Sequence, residues 1–383
     1  MNRLNQLTEI HQSGKPYIIY KSKKGFNLYT NFSKKIILNN QNIKSFLTKK
    51  NKKKSKDTDL FIGFFGYELL NNLIDVKIPK QKNLNFPKGI FYKPEKKIKL
   101  SNKLNYDFEN FKSGNFKINI NRKNYKKILN KFKKKIKSGE TYQIKICTKY
   151  KTKSKINPLD FFSRLSNTNL APEAFMIKDH NYSIISCSPE TLITKKGSDI
   201  STKPIAGTVK KTKHLNKMKA LNYFRKNLKE TKEHNMIVDM ERNDLSRICK
   251  VGTVKLSKQK IVEEYKDLFH YVSLIKGKLK KNINNFEIIK AMMPGGSVIG
   301  CPKINTLNLL NNQEKENRNI YTGSFGYIKF NGDMRFNIII RSILNFKNIS
   351  EISVASGVVV DSNANHEFNE NFLKAKALID LFK

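Results

Sequence analysis

Acid is what this chain is short of: 31 Asp and Glu stand against 75 Lys and Arg, a formal net charge of +44 over 383 residues. Cysteine is scarce too. Cys147, Cys187, Cys249 and Cys301 lie far apart with no CxxC pair, which argues against a structural zinc and fits a reducing compartment. No window approaches the roughly 18 apolar residues of a membrane helix, and the N-terminal MNRLNQLTEIHQSGKPYIIY has no apolar signal-type core. The expectation is a soluble cytoplasmic protein with no membrane partner. A hydrophobic content of 38% is ample for a buried core in one large or two medium domains.

The charge itself points first toward nucleic acid or an anionic surface. Its distribution argues otherwise. Lys far outnumbers Arg, and Lys, Asn and Ile are in excess along the whole chain, which reads as compositional drift. Phosphate recognition favours arginine forks interleaved with aromatics, and neither is concentrated here. Only KKNKKKSK (49–56) resembles a basic tail, and it reads as a solvated loop. A nucleic-acid-binding protein is kept as a remote alternative, and no nucleic-acid partner is expected.

Hydrophobic periodicity places the elements. PYIIYK (16–21) and LFIGFFGYELL (60–70) read as strands, the second running into a helix, and a polar stretch beginning KPEKKIKL at Lys93 leads into the second part. Tyr125, Ile128, Leu129, Phe132 and Ile136 form one helical stripe that stops at Ser138–Gly139. TYQIKICTKY (141–150), NYSIISCS (181–188) and SDISTKPIAGT (198–208) read as strands with turns, and one long helix is expected over about 214–241. Three closely spaced strands, at 320–330, 334–346 and 349–360, precede a last helix, NHEFNENFLKAKALIDLF. Strands joined by short turns with helices at intervals predict an α+β fold with largely antiparallel sheets.

Against the shortage of acid, ETKEH (230–234) and EFNEN (367–371) place glutamates at i and i+3, Glu230 with Glu233 and Glu367 with Glu370. Such pairs can lie on a wet helix face matched to lysines, or aim oxygens at one divalent cation. Spacing leaves both readings open. Other segments point the same way. In SCSPETL, Glu190 follows a proline in a strand-end turn, which would expose a carboxylate into a cleft. In KPIAGT, Gly207 and Thr208 form a tight turn able to meet an anion. MMPGGSVIGCPK (292–303) reads as a loop entering a helix at INTLNLL, which would leave free N–H donors, or as a plain turn. Arg341 is a lone cation in the apolar FNIIIRSI and calls for a bound anion or an internal salt bridge. His270, in DLFHYVS, is either a satisfied core histidine or a site residue.

Ten segments in order, among them SGETYQIKI, SCSPETL, TKPIAGT, KEHNMIVDMERNDLSRIC, PGGSVIGCPK, IIIRSI, ASGVVVDS and ENFLKAKAL, resemble the chorismate-utilising enzymes. That family contains anthranilate synthase component I, aminodeoxychorismate synthase component I, isochorismate synthase and salicylate synthase. The resemblance runs from about residue 120 to the C-terminus, and GFFGYELL near residue 63 looks like the family's N-terminal portion. It implies an N-terminal portion, 1–115, elaborating the same fold, and a chorismate-binding catalytic domain, 116–383.

By resemblance, Glu233 and Glu370 match glutamates that hold Mg²⁺, with Glu230 and Glu367 as outer carboxylates of that site. Glu190 matches the general acid for the ring hydroxyl, His270 the active-site histidine, and Tyr321 and Arg341 the pair on the enolpyruvyl carboxylate. Thr208, Gly207, Ser297, Ala355, Gly357 and Lys374 match further substrate-binding positions. Gln143 stands where water-using members carry a lysine and ammonia-using members a glutamine. An amide cannot serve as a general base, so ammonia is the expected nucleophile. A separate glutaminase subunit would deliver it, since no cysteine here sits in a nucleophile-elbow context. The expected reaction is Mg²⁺-dependent amination of chorismate to 4-amino-4-deoxychorismate, toward p-aminobenzoate and folate, with anthranilate formation as the alternative. Three positions depart from the family pattern: Ala206, where many aminodeoxychorismate synthases have a lysine proposed to attack the ring; Ile299, usually Thr or Ser; and Ala355, usually glycine.

Overall fold

The computed structural model describes residues 3–383 apart from 23, 50–55, 75, 77–85, 105–113, 169–170 and 266–267. Most of the basic segment 49–56 therefore lies outside the described residues. Among those described, eighteen strands pair antiparallel and ten α-helices accompany them, an α+β fold as the sequence predicts. Strands near the N-terminus are bonded into the same sheet as the rest: Tyr17–Ser22 pairs with Glu173–Lys178, and Leu60–Phe65 with Ser324–Lys329. Among the described residues no helix is long and apolar enough to cross a membrane.

The strands that position the site follow from their composition. Tyr182–Ser188 is buried at every residue and lies between Glu173–Lys178 and Ser342–Phe346; its serines are small enough to be enclosed with Ile184, Ile185 and Cys187. Gln143–Lys153 pairs along Ile349–Val358. Its period of two sends Ile144 and Ile146 into the largest apolar cluster and puts Gln143 and Lys145 together on the other face. That cluster also takes Tyr125, Leu129 and Phe132 from the helix Arg122–Lys137, so the predicted stripe is its buried face.

Several elements differ from expectation. The stretch from Lys93 begins as part of a strand, Gly89–Leu100, paired with Gly25–Leu38. The helix expected over 214–241 is two helices, Lys217–Lys226 and Leu228–Ile248. Asn227 separates them in extended conformation, and its side chain accepts from the Glu230 N–H, a stop for one helix and an N-cap for the next. The expected strand 334–346 breaks into Met334–Asn337 and Ser342–Phe346, with Arg341 at φ +50 in the gap. Gly207 and Thr208 sit in a strand, Ile205–Lys210, not a tight turn, and a bulge against Leu268–Lys278 leaves Gly207 at φ +84. The Pro-Gly-Gly-Ser loop does not enter the next helix. It closes into a 3₁₀ turn, Gly296–Val298, and Gly300–Cys301 pairs with Gln143 and Ile144 before the helix Lys303–Gln313 starts.

Candidate active site

One cavity of about 420 Å³ collects residues far apart in sequence. The bulged strand contributes Gly207 and Thr208, the helix Leu228–Ile248 contributes Glu230 and Glu233, and the strand Leu268–Lys278 contributes His270. Ser297, Tyr321 and Arg341 come from turns, Ala355 and Gly357 from the strand Ile349–Val358, and Glu370 and Lys374 from the last helix, Ala364–Ile379. Glu190 enters from the two-residue link between the strands Tyr182–Ser188 and Thr191–Lys196.

Glu190 is 5% exposed, and the Ser297 hydroxyl donates to its Oε1 at 2.8 Å. Burial pushes its carboxyl up to about 7, against the opposing pull of Ser297 and of Lys145. A carboxyl held near 7 is half protonated at neutral pH and can act as an acid there.

The opposite charge is supplied by Arg341. The gap between the strands Met334–Asn337 and Ser342–Phe346 puts it on the cavity wall. Among the described residues no carboxylate or hydrogen-bond acceptor meets its guanidinium, and burial lowers its pKa. Among the described residues no internal salt bridge explains it, and a half-buried cation on a cavity wall is a candidate for meeting an anion. Tyr321 shares the cavity; burial raises its phenol well above the ordinary value, so it stays a neutral donor. The His270 Nδ1 lies 2.8 Å from the Thr208 hydroxyl. Burial, with Arg341 adding to it, brings this histidine down to about 4, so the imidazole is neutral at physiological pH.

Three of the paired glutamates, Glu230, Glu233 and Glu370, face the cavity from two helices, and Glu367 does not. Glu233 accepts from Lys145 Nζ at 2.7 Å and from Gln143 Nε2 at 2.8 Å on the same oxygen. Lys145 and these hydrogen bonds hold its carboxyl down at about 2. Glu370 is paired with Lys374 at 2.6 Å, and that ammonium also donates to the Ala355 carbonyl at 3.0 Å. Burial alone would raise Glu370, but Lys374 outweighs it and the pKa is lowered. Glu367 is buried, accepts from Ser362 at 2.9 Å and lies behind Glu370, off the cavity wall. Among the described residues the set of three donors within 4.8 Å of one another is His366, Glu367 and Glu370, and neither Glu230 nor Glu233 joins it. The donor type nevertheless fits a hard divalent cation: Glu233 and Glu370 are carboxylates that share a cavity with Glu230, and Glu367 supports one of them.

Residues 106–380 match the family described as chorismate binding enzyme. The chain belongs to that family. Aminodeoxychorismate synthase component 1 of Bacillus subtilis is 34% identical over 267 residues, which cover 70% of this chain and 57% of that relative. This chain thus spans a little over half the length of that family member. The anthranilate synthase component I-like protein of Synechocystis is 31% identical over 347 residues, 83% of this chain and 72% of the relative. Among solved structures, anthranilate synthase component I of Streptococcus pneumoniae matches with a TM-score of 0.78 at 24% identity, over 95% of this chain and 92% of that one, which shows the same fold.

Gln143, expected in the site, and Ile299, where the family usually has Thr or Ser, both lie off the cavity wall. Gln143 reaches the wall through Glu233. Ile299 is fully buried in the largest apolar cluster, and only its carbonyl, accepting from the Lys145 N–H at 3.0 Å, touches the site's framework. Lys145 was not singled out from the sequence at all. The one signal was alternation: a residue two positions from Gln143 on a strand shares its face.

Proposed function

We propose that this chain is the synthase subunit of a glutamine-dependent pair that aminates chorismate with ammonia to give 4-amino-4-deoxychorismate. The observation that carries the reading is Arg341, a cation with no counter-ion among the described residues, facing the same 420 Å³ cavity as a buried acid poised near 7. A substrate with two carboxylates and a leaving hydroxyl supplies what both groups lack. Arg341 and Tyr321 bind one carboxylate. Glu190 gives its proton to the ring hydroxyl as the carbon–oxygen bond breaks and water leaves. The lone pair of ammonia forms the new carbon–nitrogen bond, and the resulting ammonium loses a proton, which returns Glu190 to its acid form. A divalent cation on Glu233 and Glu370, with Glu230 and Glu367 beside them, would neutralise the carboxylates and hold the second substrate carboxylate.

Ammonia is preferred over water on two grounds. Gln143 has no basic atom, and its amide is already given to Glu233. Lys145, the nearest amine, has its pKa raised: burial works against the charge, but Glu233, Glu370 and Glu190 outweigh it, so it is a poor base at neutral pH. The names of the relatives, component 1 of their enzymes, support a separate partner component, which this reading takes to be the glutaminase. Ala206 and the anthranilate-type relatives favour the second reading, formation of anthranilate and pyruvate. Incubating the purified chain with chorismate, Mg²⁺ and an ammonium salt separates them. A p-aminobenzoate signal that appears only after the downstream lyase is added is expected; anthranilate fluorescence with released pyruvate would overturn the choice of product.

A further inference from the structure

The carboxylate cluster contains a cation of its own. Lys145 Nζ lies 2.7 Å from Glu233 Oε1, and its side chain is 13% exposed. Its space is kept open by Gly357 on the paired strand, where a Cβ would fall 2.8 Å from Lys145 Nζ and 2.7 Å from Gln143 Nε2. The same Glu233 oxygen therefore already holds a full positive charge and an amide donor. Lys374 on Glu370 differs in kind. It is 45% exposed and one helical turn from its partner, a pair that solvent loosens easily. Lys145 is enclosed and faces Glu233, Glu370 and Glu190 at once.

We propose that Lys145 is a built-in counter-ion of the Glu233 carboxylate, competing with a divalent metal for that ligand until a substrate carboxylate draws the ammonium away. This rests on the chorismate reading and adds a coupling to it. An ammonium and a divalent cation repel each other at the distance set by one shared carboxylate, and the partly enclosed cavity screens them poorly. Metal entry therefore requires Lys145 to leave Glu233, and an anionic substrate gives it somewhere to go. Because linkage is reciprocal, substrate and metal then raise each other's affinity by one factor, and the empty site is held electrically balanced.

Calorimetric titration with Mg²⁺ tests this on wild type, Lys145→Met and Lys145→Gln, each with and without chorismate and with no ammonia present. Glutamine keeps a donor to Glu233 in case the methionine variant unfolds, and thermal unfolding of each chain is recorded first. Both variants are expected to bind Mg²⁺ alone roughly ten- to hundredfold more tightly than wild type, the span of ordinary coupling energies. Chorismate should tighten Mg²⁺ binding more in wild type than in either variant. If the folded variants bind Mg²⁺ no better than wild type while all three bind it, the proposal for Lys145 falls and the metal reading stands. If none binds Mg²⁺ even with chorismate present, both fall together.

Discussion

Replacing Glu190 with glutamine separates catalysis from stability. Glu190→Gln keeps the shape and the oxygen that accepts from Ser297, and removes only the proton. In the wild type, burial lifts the carboxyl from 4.5 to about 7, a change worth about 3 kcal/mol between the two protonation states. The folded-state value is the raised one, so this contribution is fully present below about pH 4.5 and is lost as pH rises through 7. The variant has no such dependence. It should match wild type near pH 4 and exceed it by up to about 3 kcal/mol above pH 8. Its turnover should nonetheless fall by about 10²–10⁴-fold, the usual worth of a positioned acid. The alkaline fall in rate, centred near 7 in the wild type, should disappear with it. Chorismate consumption and denaturant unfolding, followed in the same buffers across that pH range, report both quantities. The reasoning fails if the variant retains the alkaline limb, or if its loss of rate merely follows a loss of stability.

Glu233→Gln and Glu370→Gln should each abolish Mg²⁺-dependent turnover; the unfolding midpoint should change little in Glu370→Gln and fall in Glu233→Gln, which leaves the enclosed Lys145 ammonium without its carboxylate. Near-normal activity in either would refute the metal assignment. Arg341→Met should raise KM for chorismate by roughly ten- to hundredfold, the worth of a charged hydrogen bond, while leaving the free protein equally or more stable, because a half-buried charge with no partner among the described residues is removed. A fall in stability, read by thermal unfolding, would reveal a hidden partner for this arginine. Position 206 is flanked by Ile205 and Gly207, which both line the cavity. Ala206→Lys should therefore leave 4-amino-4-deoxychorismate as the product and change its rate of formation, measured as lyase-dependent p-aminobenzoate; an unchanged rate would show that position 206 takes no part.

What could be read without coordinates follows from rarity. In a chain with 31 acids among 75 bases, two glutamates a helical turn apart stand out, and an arginine inside FNIIIRSI has no surface explanation. Where a residue type is abundant, the same signals vanish. The strand Gly25–Leu38 is hidden in the sequence because lysine and asparagine fill positions that would otherwise alternate. Asn227 gives no boundary signal because asparagine occurs everywhere in the chain, although its capping oxygen sets the first turn that carries Glu230. The break before Ser342 was invisible for another reason. An unbroken Ile-Ile-Ile-Arg run favours one strand, and only tertiary constraint holds Arg341 at φ +50. Of the two outer carboxylates, Glu230 lines the cavity and Glu367 does not, since the residue one turn before Glu370 accepts from Ser362. Lys145 combines these lessons. On a strand that alternates with Ile144 and Ile146 it reads as one more solvent-facing lysine, and the face it occupies turns out to be the cavity wall. In so basic a chain a lysine becomes informative through the acid it touches. The scarce glutamates are therefore where a search for functional cations should start, and Glu233 leads directly to Lys145.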